Sequence, residues 1–184
     1  VTLLVSAGLL LAGAVMALKL PAPSYPSRLE YPMTSAASRF ADLYAAVGQH
    51  YARQVQFLDG GKFEEYAATF TEDGEFQHTP GVTPARTPAG IVAELHAFHE
   101  RFADDPVQRR HWFNMIDLSP REDGDFDAVF YALVLTVRPG VKEPQVGPSC
   151  LVRDVLEITD GSVRNRSRRV EHDQHVQHLQ HASR

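Results

Sequence analysis

The sequence predicts an α+β domain in which an antiparallel sheet wraps around helices that come first in the chain. Apolar residues recur with helical spacing between residues 40 and 102, and long strand-like stretches follow from residue 107 onward. The pairs Asp123-Gly124 and Asp160-Gly161 are typical of tight turns between neighbouring antiparallel strands. Helices followed by a run of strands favour a sheet that packs one face against the helices.

Three helices are predicted in the first half of the chain. The first carries apolar residues on one face from Phe40 to Leu58, and Gly60-Gly61 ends it. A second, shorter helix spans Phe63 to Phe70, after which the sequence TEDG at 71–74 predicts a turn. The third begins at Thr87-Pro88, because threonine is a good N-cap residue and proline is favoured at the first helical position.

The strands follow, and the first long one has an unusual pattern. A short strand is predicted at 75–78, and longer strands are predicted near 107–118, 126–138, 149–159 and 162–171. Both alternating sets of the strand near 107–118 are largely apolar, with His111, Phe113 and Met115 on one side and Trp112, Ile116 and Leu118 on the other. A strand of this kind is covered on both faces. We therefore expect one face to meet the helices and a pocket, and the other to meet a second subunit in a homodimer.

The composition indicates one globular domain and excludes several classes of protein. The 184 residues are 43% hydrophobic and 22% charged, so the chain can bury a core of ordinary size. A net charge of −5 indicates no overall basic charge that would attract nucleic acid, and no nucleic-acid partner is expected. The single cysteine, Cys150, allows neither an intrachain disulfide nor a zinc site built on thiolates, and it suits a reducing compartment.

Residues 1–32 differ in composition from the rest of the chain. An apolar run from Val1 to Leu20 precedes the stretch PAPSYPSRLEYP, which is too rich in proline to continue a helix. The run lacks the basic residues of a signal peptide or membrane anchor, and Met33 opens a stretch with helix-capping residues. We therefore expect a non-domain extension, either a mis-assigned start or an apolar leader, with no stable membrane association. The expected location is cytoplasmic, and membrane-anchored or secreted only if residues 1–20 are genuine.

Three stretches together carry a resemblance to a known family. They are YARQVQFLDGGKFEEYAATFTEDGEF, RRHWFNMIDL and CLVRDVLEITDGSVRNRSRRVEHD, and their order and spacing are more specific than any one of them. From about Ala36 to Asp173 the chain resembles the SnoaL-like branch of the nuclear-transport-factor-two superfamily, which includes scytalone dehydratase and ketosteroid isomerase. The resemblance implies a cone-shaped domain over residues 33–173, with a bent antiparallel sheet around three N-terminal helices. Residues 174–184 are expected to form a flexible tail.

The resemblance also implies a site. Members similar to scytalone dehydratase pair an aspartate that ends the first helix with a histidine on a strand, and by position these are Asp59 and His111. His78 stands where the dehydratase has a pocket tyrosine, and Leu58 replaces a neighbouring one, so the same substrate and proton route are not implied. The chain is also similar to accessory proteins of actinorhodin-type aromatic polyketide clusters. The superfamily includes structural dioxygenase subunits, so membership alone does not imply catalysis.

The residues themselves give a reason to pair Asp59 with His111. Asp59 lies in the last turn of the first helix, where the helix dipole disfavours a carboxylate, and a hydrogen-bonding partner would compensate. An aspartate bonded to one ring nitrogen of a histidine fixes the tautomer and leaves the other nitrogen to move protons. The alternatives are an aspartate in solvent and a core histidine with satisfied hydrogen bonds. On a regular strand Arg109 shares the face of His111 and would oppose its protonation.

Further polar and apolar side chains are candidates for a substrate pocket, each weighed against ordinary packing or a surface position. On a regular strand Asn114 points away from His111, and His96 and His99 are expected on an exposed or interfacial helix face. The arginines of RNRSRR at 164–169 are expected on a solvated strand face. The histidines between 172 and 181 lack a fixed geometry, so no functional metal site is expected. The substrate-binding candidates are His78, Tyr44, Tyr51, Tyr66, Tyr131, Phe113, Met115 and Arg153.

These observations predict a cofactor-free enzyme, a lyase or isomerase that acts on a polyketide-like aromatic small molecule through a His–Asp acid/base pair. Dehydration, cyclisation and isomerisation share proton abstraction as their first step. The sequence contains no glycine-rich phosphate loop, no nucleophile elbow and no thiol suitably placed for covalent chemistry. Two alternatives remain: a non-catalytic protein that binds a pathway intermediate, and a structural partner subunit.

Overall fold

The computed structural model describes residues 35–175, so the apolar extension and the tail from residue 176 lie outside the described residues. Within this range no helix is long and apolar enough to cross a membrane. The elements are α1 (Ser35–Asp59), α2 (Phe63–Ala67), β1 (Phe70–Gln77), β2 (Ala85–Arg86), α3 (Thr87–Glu100), β3 (Gln108–Pro120), β4 (Phe126–Val137), β5 (Gln145–Thr159) and β6 (Ser162–His172), followed by a 3-10 helix (Asp173–His175).

All six strands form one open, curled sheet in the order β2-β1-β6-β5-β4-β3. Neighbouring strands are antiparallel, except that β1 runs parallel to β6. This parallel pair brings the strand after the first two helices beside the last strand, so that both halves of the chain meet within the sheet. The predicted α+β cone, with a bent and mainly antiparallel sheet and three helices, is confirmed.

The buried apolar residues form two clusters. The first joins α1 to β3, β4 and β5, and the second joins α2, α3 and β1. Burying one large apolar side chain stabilises the fold by roughly 1.5–3 kcal/mol, so each cluster holds its helices firmly to the sheet. Representative members are Val47, Tyr51, Phe130, Val152 and Leu156 in the first cluster and Phe63, Tyr66, Phe76, Ile91 and Leu95 in the second.

Asp59 is the last residue of α1, where the glycine pair predicts the helix to end. The backbone N–H of Lys62 donates to the carbonyl of Phe57 at 2.8 Å, and Gly61 adopts a positive φ of 69°. This left-handed conformation at a helix end is most often taken by glycine, which has no Cβ to clash. The side-chain amide of Gln108 donates to the carbonyl oxygen of Asp59 at 3.1 Å. The helix end is thereby tied to the beginning of β3.

The stretch TEDG at 71–74 lies within β1 and does not turn the chain, so that prediction is wrong. α2 ends at Ala67, earlier than predicted, and β1 begins at Phe70. The pairing of β1 with β6 is irregular between Phe70 and Glu75. At Gly74 a Cβ would lie 2.9 Å from the Cβ of Phe70, which is too close for any other residue without a shift. The turn residues therefore make a local irregularity in a continuing strand.

A β-bulge at Met115 reverses the two faces of β3 that regular alternation predicts. Met115 has a positive φ of 56°, and the pairing with β4 shifts between Asn114 and Asp117. Met115 is consequently 68% exposed, whereas Ile116 packs against the first core cluster. The prediction that Ile116 and Leu118 share the outer face is wrong, because one inserted residue moves every later side chain to the opposite face.

The end of the described chain also differs from the prediction. His172, which follows the last predicted strand at 162–171, is the last residue of β6, and Asp173–His175 form a 3-10 helix. From residue 176 onward the predicted tail lies outside the described residues. His172 is therefore held by the sheet, next to the side chains that form the site.

Candidate active site

Asp59 at the end of α1 and His111 on β3 meet through two hydrogen bonds. The Nδ1 atom of His111 lies 2.6 Å from Oδ1 of Asp59, and the backbone N–H of His111 donates to Oδ2 at 3.1 Å. The side chain of His111 is 17% exposed and that of Asp59 is 9% exposed. Both carboxylate oxygens are thus held by a single residue, which compensates for the position of Asp59 at the unfavourable end of its helix.

This contact fixes the arrangement of hydrogens on the neutral His111 ring. A carboxylate only accepts hydrogen bonds, so Nδ1 carries the hydrogen and Nε2 holds the lone pair. Within residues 35–175 nothing forms a hydrogen bond with Nε2, and His111 lines a cavity. Nε2 is therefore available to a ligand as a base, and Asp59 would stabilise the imidazolium that forms.

The cavity has a volume of about 400 Å³ and takes residues from both core clusters. Small-molecule sites in proteins generally measure roughly 300–1,000 Å³ and combine apolar walls with a few polar groups. This cavity follows that description, because the polar and cationic side chains are interspersed among aliphatic and aromatic ones. The apolar wall includes Leu58, Phe76, Leu95, Val134 and Val152.

Half of the residues proposed from the sequence line this cavity. The ring of Phe113 lies edge-on to that of His111, with 6.3 Å between their centroids. The ring of His78 lies edge-on to Phe98, at a centroid distance of 4.5 Å. The structure thus brings together five candidates from three separate elements and one connecting segment. They are Asp59, Tyr66, His78, His111 and Phe113.

Three candidates on the strands do not line the cavity because they point to the outer face of the sheet. Tyr131 is 63% exposed. Arg153 forms an exposed ion pair with Glu171 at 3.1 Å. Met115 is turned outward by the bulge in β3. Their side-chain types suggested a pocket role, but the local twist and register of each strand decide the direction in which its side chains point.

Two tyrosines of α1 are also absent from the cavity wall. Tyr44 is half-exposed, and its hydroxyl donates to the carbonyl oxygen of Ile116 at 3.1 Å. Tyr51 is buried, and its hydroxyl donates to Asp154 at 2.9 Å. Both rings share the inward face of the helix, as their spacing predicts, but they pack against the sheet and not against open space.

His78 presents an uncharged imidazole to the cavity. Burial lowers the pKa of His78 to about 4, and the positive charges of His172, His111, Arg101 and Arg109 act in the same direction. Its ring nitrogens have no hydrogen-bond partner among the described residues, so both are open to a ligand. His78 therefore differs from His111, whose ring is oriented by a carboxylate.

Sequence reasoning missed three polar residues that also line the cavity. His99 was expected on an exposed or interfacial helix face, His172 was expected after the last strand without a fixed geometry, and Arg109 was considered only for its charge. The guanidinium of Arg109 lies 4.1 Å from the ring centroid of Phe102. One signal was available, because His99 follows Leu95 by four residues and so shares its inward helix face.

The largest omission is a buried polar network, two of whose members, Tyr66 and Arg168, line the cavity. Arg168 is 1% exposed, although the sequence placed the arginines of 164–169 on a solvated face. Its Nη2 donates to Oδ2 of Asp154 at 2.6 Å and to Oε1 of Gln54 at 2.8 Å, and its Nη1 donates to the hydroxyl of Tyr66 at 3.0 Å. Asn165, also fully buried, donates to Asp154 at 2.7 Å.

The inward position of Arg168 results from a second bulge. The pairing of β6 with β5 passes from Ser167 to Asn165 and omits Arg166. Asn165 and Arg168 are both buried as a result, although regular alternation would place them on opposite faces. The sequence pattern of arginines along this strand therefore does not indicate which of them is buried.

The remaining chemistry of the cavity is limited. Cys150 lines it, and burial raises the pKa of the thiol to about 11, so the thiol stays protonated at neutral pH. Within residues 35–175 no group of three or more His, Cys, Asp or Glu side chains is placed to hold a metal ion. An acid/base pair in an apolar cavity is thus the arrangement best suited to chemistry in the described part of the chain.

The fold and site define a class of protein: a cone of curled sheet and helices that encloses a small-molecule cavity with an imidazole–carboxylate pair in its wall. The sequence profile of the SnoaL-like domain matches residues 39–169. This chain belongs to the SnoaL-like family.

Several solved structures are similar to this protein. ActVI-ORFA from Streptomyces coelicolor is 53% identical, and the match covers 72% of this chain and 98% of that one with a TM-score of 0.68. A Catenulispora acidiphila protein in complex with S-DNPA is 56% identical over 73% of this chain and 96% of its own, with a TM-score of 0.66. Aln2 from a Streptomyces species is 38% identical over 72% and 92%, with a TM-score of 0.65. No curated protein sequence matches this chain.

Proposed function

We propose that this protein is a cofactor-free tailoring enzyme that acts on a polyketide-like aromatic small molecule. The observation that carries the proposal is the 2.6 Å contact between His111 and Asp59 in the wall of a cavity of about 400 Å³. Similarity to ActVI-ORFA and Aln2 supports a role in the same kind of pathway. The Catenulispora acidiphila relative, solved with S-DNPA, supports a small-molecule ligand.

In this proposal Nε2 of His111 removes a proton from a carbon atom beside a carbonyl group. The electron pair of the broken C–H bond forms an enolate, and Asp59 stabilises the new imidazolium. The imidazolium then returns the proton. If it protonates a departing hydroxyl, water leaves; if it protonates another carbon of the enolate, the product is an isomer. If the enolate carbon first attacks a second carbonyl of the same molecule, a ring closes and the imidazolium protonates the resulting alkoxide. One residue thus serves as base and then as acid.

The test uses the compound that accumulates when this gene is deleted. The wild-type protein alone, without added cofactor, should convert that compound. His111→Ala should lower turnover about 10²–10⁴-fold, the usual contribution of a general acid/base, with folding and affinity largely retained. The matched control is His96→Ala, since His96 is an exposed histidine outside the cavity wall. Undiminished turnover in the His111 variant would exclude it as the base.

A second candidate function is binding without conversion. The complex of the Catenulispora acidiphila relative with S-DNPA is also what a protein that holds or protects an intermediate would give. Such a protein would bind the accumulated compound with micromolar or better affinity and show no turnover as wild type. Isothermal titration beside the activity assay distinguishes the two functions with the same samples.

We also propose that the outer face of the sheet forms a homodimer interface. Trp112 and Tyr131 are each 63% exposed on neighbouring strands, and Trp112 pairs with Leu133, two residues from Tyr131. Large exposed aromatic side chains close together on one face of a sheet often mark a protein contact. Sedimentation should give a dimer for the wild type and a monomer for Trp112→Glu. A monomeric wild type would exclude this interface.

A further inference from the structure

Tyr66 and Arg168 hold two hydrogen-bond donors that have no acceptor in the described chain. Nη1 of Arg168 donates to the hydroxyl oxygen of Tyr66 at 3.0 Å. A guanidinium cannot accept a hydrogen bond, so this contact leaves the hydroxyl hydrogen of Tyr66 unused. Nη1 also carries a second hydrogen, because the other bonds of Arg168 are made by Nε and Nη2. Within residues 35–175 neither hydrogen meets an acceptor.

Both donors belong to residues that line the same cavity as the proposed base. Tyr66, Arg168 and His111 are all part of its wall. Phe113 also lines the cavity and is near both groups, with its ring centroid 6.3 Å from that of His111 and 5.2 Å from the Cζ atom of Arg168. A planar aromatic molecule packed against Phe113 would therefore lie close to the base and to the two donors.

The donors are held in place before any ligand binds. Asp154 and Gln54 fix the guanidinium through bonds of 2.6 and 2.8 Å, and both partners are fully buried. The carboxylate of Asp154 balances the charge of Arg168, so the donors do not present an uncompensated cation. Fixed donors of this kind suit an oxygen atom that gains negative charge during a reaction, because they need no reorganisation when the charge develops.

We propose that the Tyr66 hydroxyl and Nη1 of Arg168 bind the carbonyl oxygen of the substrate while His111 removes the proton from the adjacent carbon. The inference rests on the proposed function and restricts the substrate to molecules with a carbonyl at that position. The C–H electron pair forms the new C=C bond, the π pair of the carbonyl moves to oxygen, and the proton goes to Nε2 of His111. The two donors stabilise the enolate oxygen, and Tyr66 is neutral throughout.

The environment of Tyr66 agrees with a donor that keeps its hydrogen. Burial raises the pKa of Tyr66, although the positive charge of Arg168 acts in the opposite direction. The hydroxyl is thus protonated at neutral pH, while the cation at 3.0 Å polarises it. A polarised neutral phenol is a stronger hydrogen-bond donor than an isolated one.

Binding of substituted 2-naphthols of graded acidity tests the inference, because a naphtholate oxygen resembles an enolate oxygen. Fluorescence titration should show wild-type affinity increasing with the acidity of the naphthol. Tyr66→Phe should lower affinity for the most acidic naphthol about 10–100-fold, the usual effect of losing a hydrogen bond to a charged group. The matched control is Tyr51→Phe, which removes another hydroxyl from the same buried network but not from the cavity wall. Its affinity should stay within about twofold of the wild type.

A second measurement needs no variant, in case Tyr66→Phe does not fold. In the wild-type complex the hydroxyl proton of Tyr66 should give a far-downfield proton NMR signal that moves further downfield as the naphthol becomes more acidic. Absence of naphthol binding, absence of this signal, or an equal loss of affinity in the two tyrosine variants would overturn the inference.

Turnover separates this inference from the proposed function. On the accumulated compound Tyr66→Phe should lose about 10²–10³-fold, as expected for one donor to a developing oxyanion. If His111→Ala abolishes turnover and Tyr66→Phe leaves it unchanged, the acid/base function stands and the oxygen-binding role is wrong. If the wild type shows no turnover but the naphthol results are as expected, the proposed enzymatic function is wrong and the role of Tyr66 and Arg168 as oxygen-binding donors is retained.

Discussion

Two carboxylates of this protein are paired with nitrogen-containing side chains, but the pairs differ in burial and in the number of hydrogen bonds that each carboxylate accepts. Asp154 and Arg168 are 0% and 1% exposed, and Asp154 also accepts hydrogen bonds from Tyr51 and Asn165. Asp59 and His111 are 9% and 17% exposed, and this pair leaves Nε2 of the imidazole without a partner in the described chain. The first carboxylate is surrounded by donors, and the second orients one ring.

The difference follows from the cost of removing charge from water. A buried ion pair is tolerated only when further hydrogen bonds replace the lost solvent, which is why the Asp154–Arg168 pair sits in a network of neutral polar side chains. The Asp59–His111 pair is less deeply buried, so it keeps access to solvent or ligand and can leave one nitrogen open. A carboxylate surrounded by donors gives rigidity, and a carboxylate that orients a single imidazole leaves that ring able to exchange protons.

The largest expected effect is on stability, when the more deeply buried pair is broken. Arg168→Met removes the charged partner of Asp154 and should lower the free energy of unfolding by about 3–5 kcal/mol, as measured by urea denaturation. The double variant Arg168→Met/Asp154→Leu should recover much of the loss, because it leaves no unpaired buried charge. A single-variant loss below about 1 kcal/mol would show that the network is not sealed from water.

The open pair should respond in activity more than in stability. The substitution Asp59→Asn leaves one side-chain oxygen for the two hydrogen-bond donors of His111. If that oxygen keeps the bond to the backbone N–H of His111, the amide N–H₂ group faces Nδ1. The imidazole then favours the tautomer that carries its hydrogen on Nε2. Turnover should fall roughly 10²-fold or more. Nitrogen NMR of the imidazole should show hydrogen on Nδ1 in the wild type and on Nε2 in the variant. An unchanged tautomer with unchanged turnover would contradict the role of Asp59.

His78 sharpens the comparison because it is a cavity imidazole without a carboxylate partner in the described chain. Burial lowers its pKa to about 4, whereas an unfolded histidine titrates near 6.5. Between these values the unfolded chain binds a proton that the folded chain does not, so stability is retained above about pH 6.5 and lost as the pH falls toward 4. His78→Phe should therefore reduce the difference in unfolding free energy between pH 7 and pH 5 by about 2 kcal/mol.

The measurement for His78 is urea denaturation of both proteins at the two pH values. His96→Phe provides the control, since the His96 side chain is 61% exposed. An equal pH dependence in wild type and the His78 variant would mean that the imidazole is solvated.

The smallest effect is expected at an ion pair on the surface. Arg138 and Asp105 pair at 2.8 Å, with side chains 42% and 54% exposed. Water screens this pair, so Asp105→Asn should leave the urea midpoint close to that of the wild type and turnover unchanged. If this substitution destabilised the protein as much as Arg168→Met, burial would not be the cause of the difference between the pairs.

The parts of the site that could be predicted were those fixed by local pattern. Gly60-Gly61 stops α1 directly after Asp59, because Gly61 takes a left-handed conformation, and the apolar run around His111 marks a strand that faces the core. The contact of these two residues came from the resemblance together with the unfavourable helix position of Asp59. Phe113 followed from its alternation with His111 on the strand, His78 followed from the resemblance, and Tyr66 was proposed only as a polar side chain for an apolar cavity.

The parts that could not be predicted depend on single-residue insertions in strands. The bulge at Met115 turns that side chain outward and brings Ile116 inward, and the omission of Arg166 from the β5–β6 pairing buries Arg168. No local sequence pattern predicts a bulge, since its location depends on how two strands with different twist fit together. Each bulge reverses a whole face, so one unpredicted residue produced several wrong assignments.

The sequence alone thus determined the order of the elements, the end of α1 at Asp59 and the apolar setting of His111, since helix periodicity, glycine conformation and strand composition act over a few residues. Only the tertiary structure decided which side chains share the cavity. Arg168 meets Tyr66 across 102 positions and Gln54 across 114, and those contacts exist because β6 lies between β1 and β5. Whether a charge is buried depends on such long-range packing. The same arginine can lie on a solvated surface or in a buried hydrogen-bond network, according to its neighbours in space.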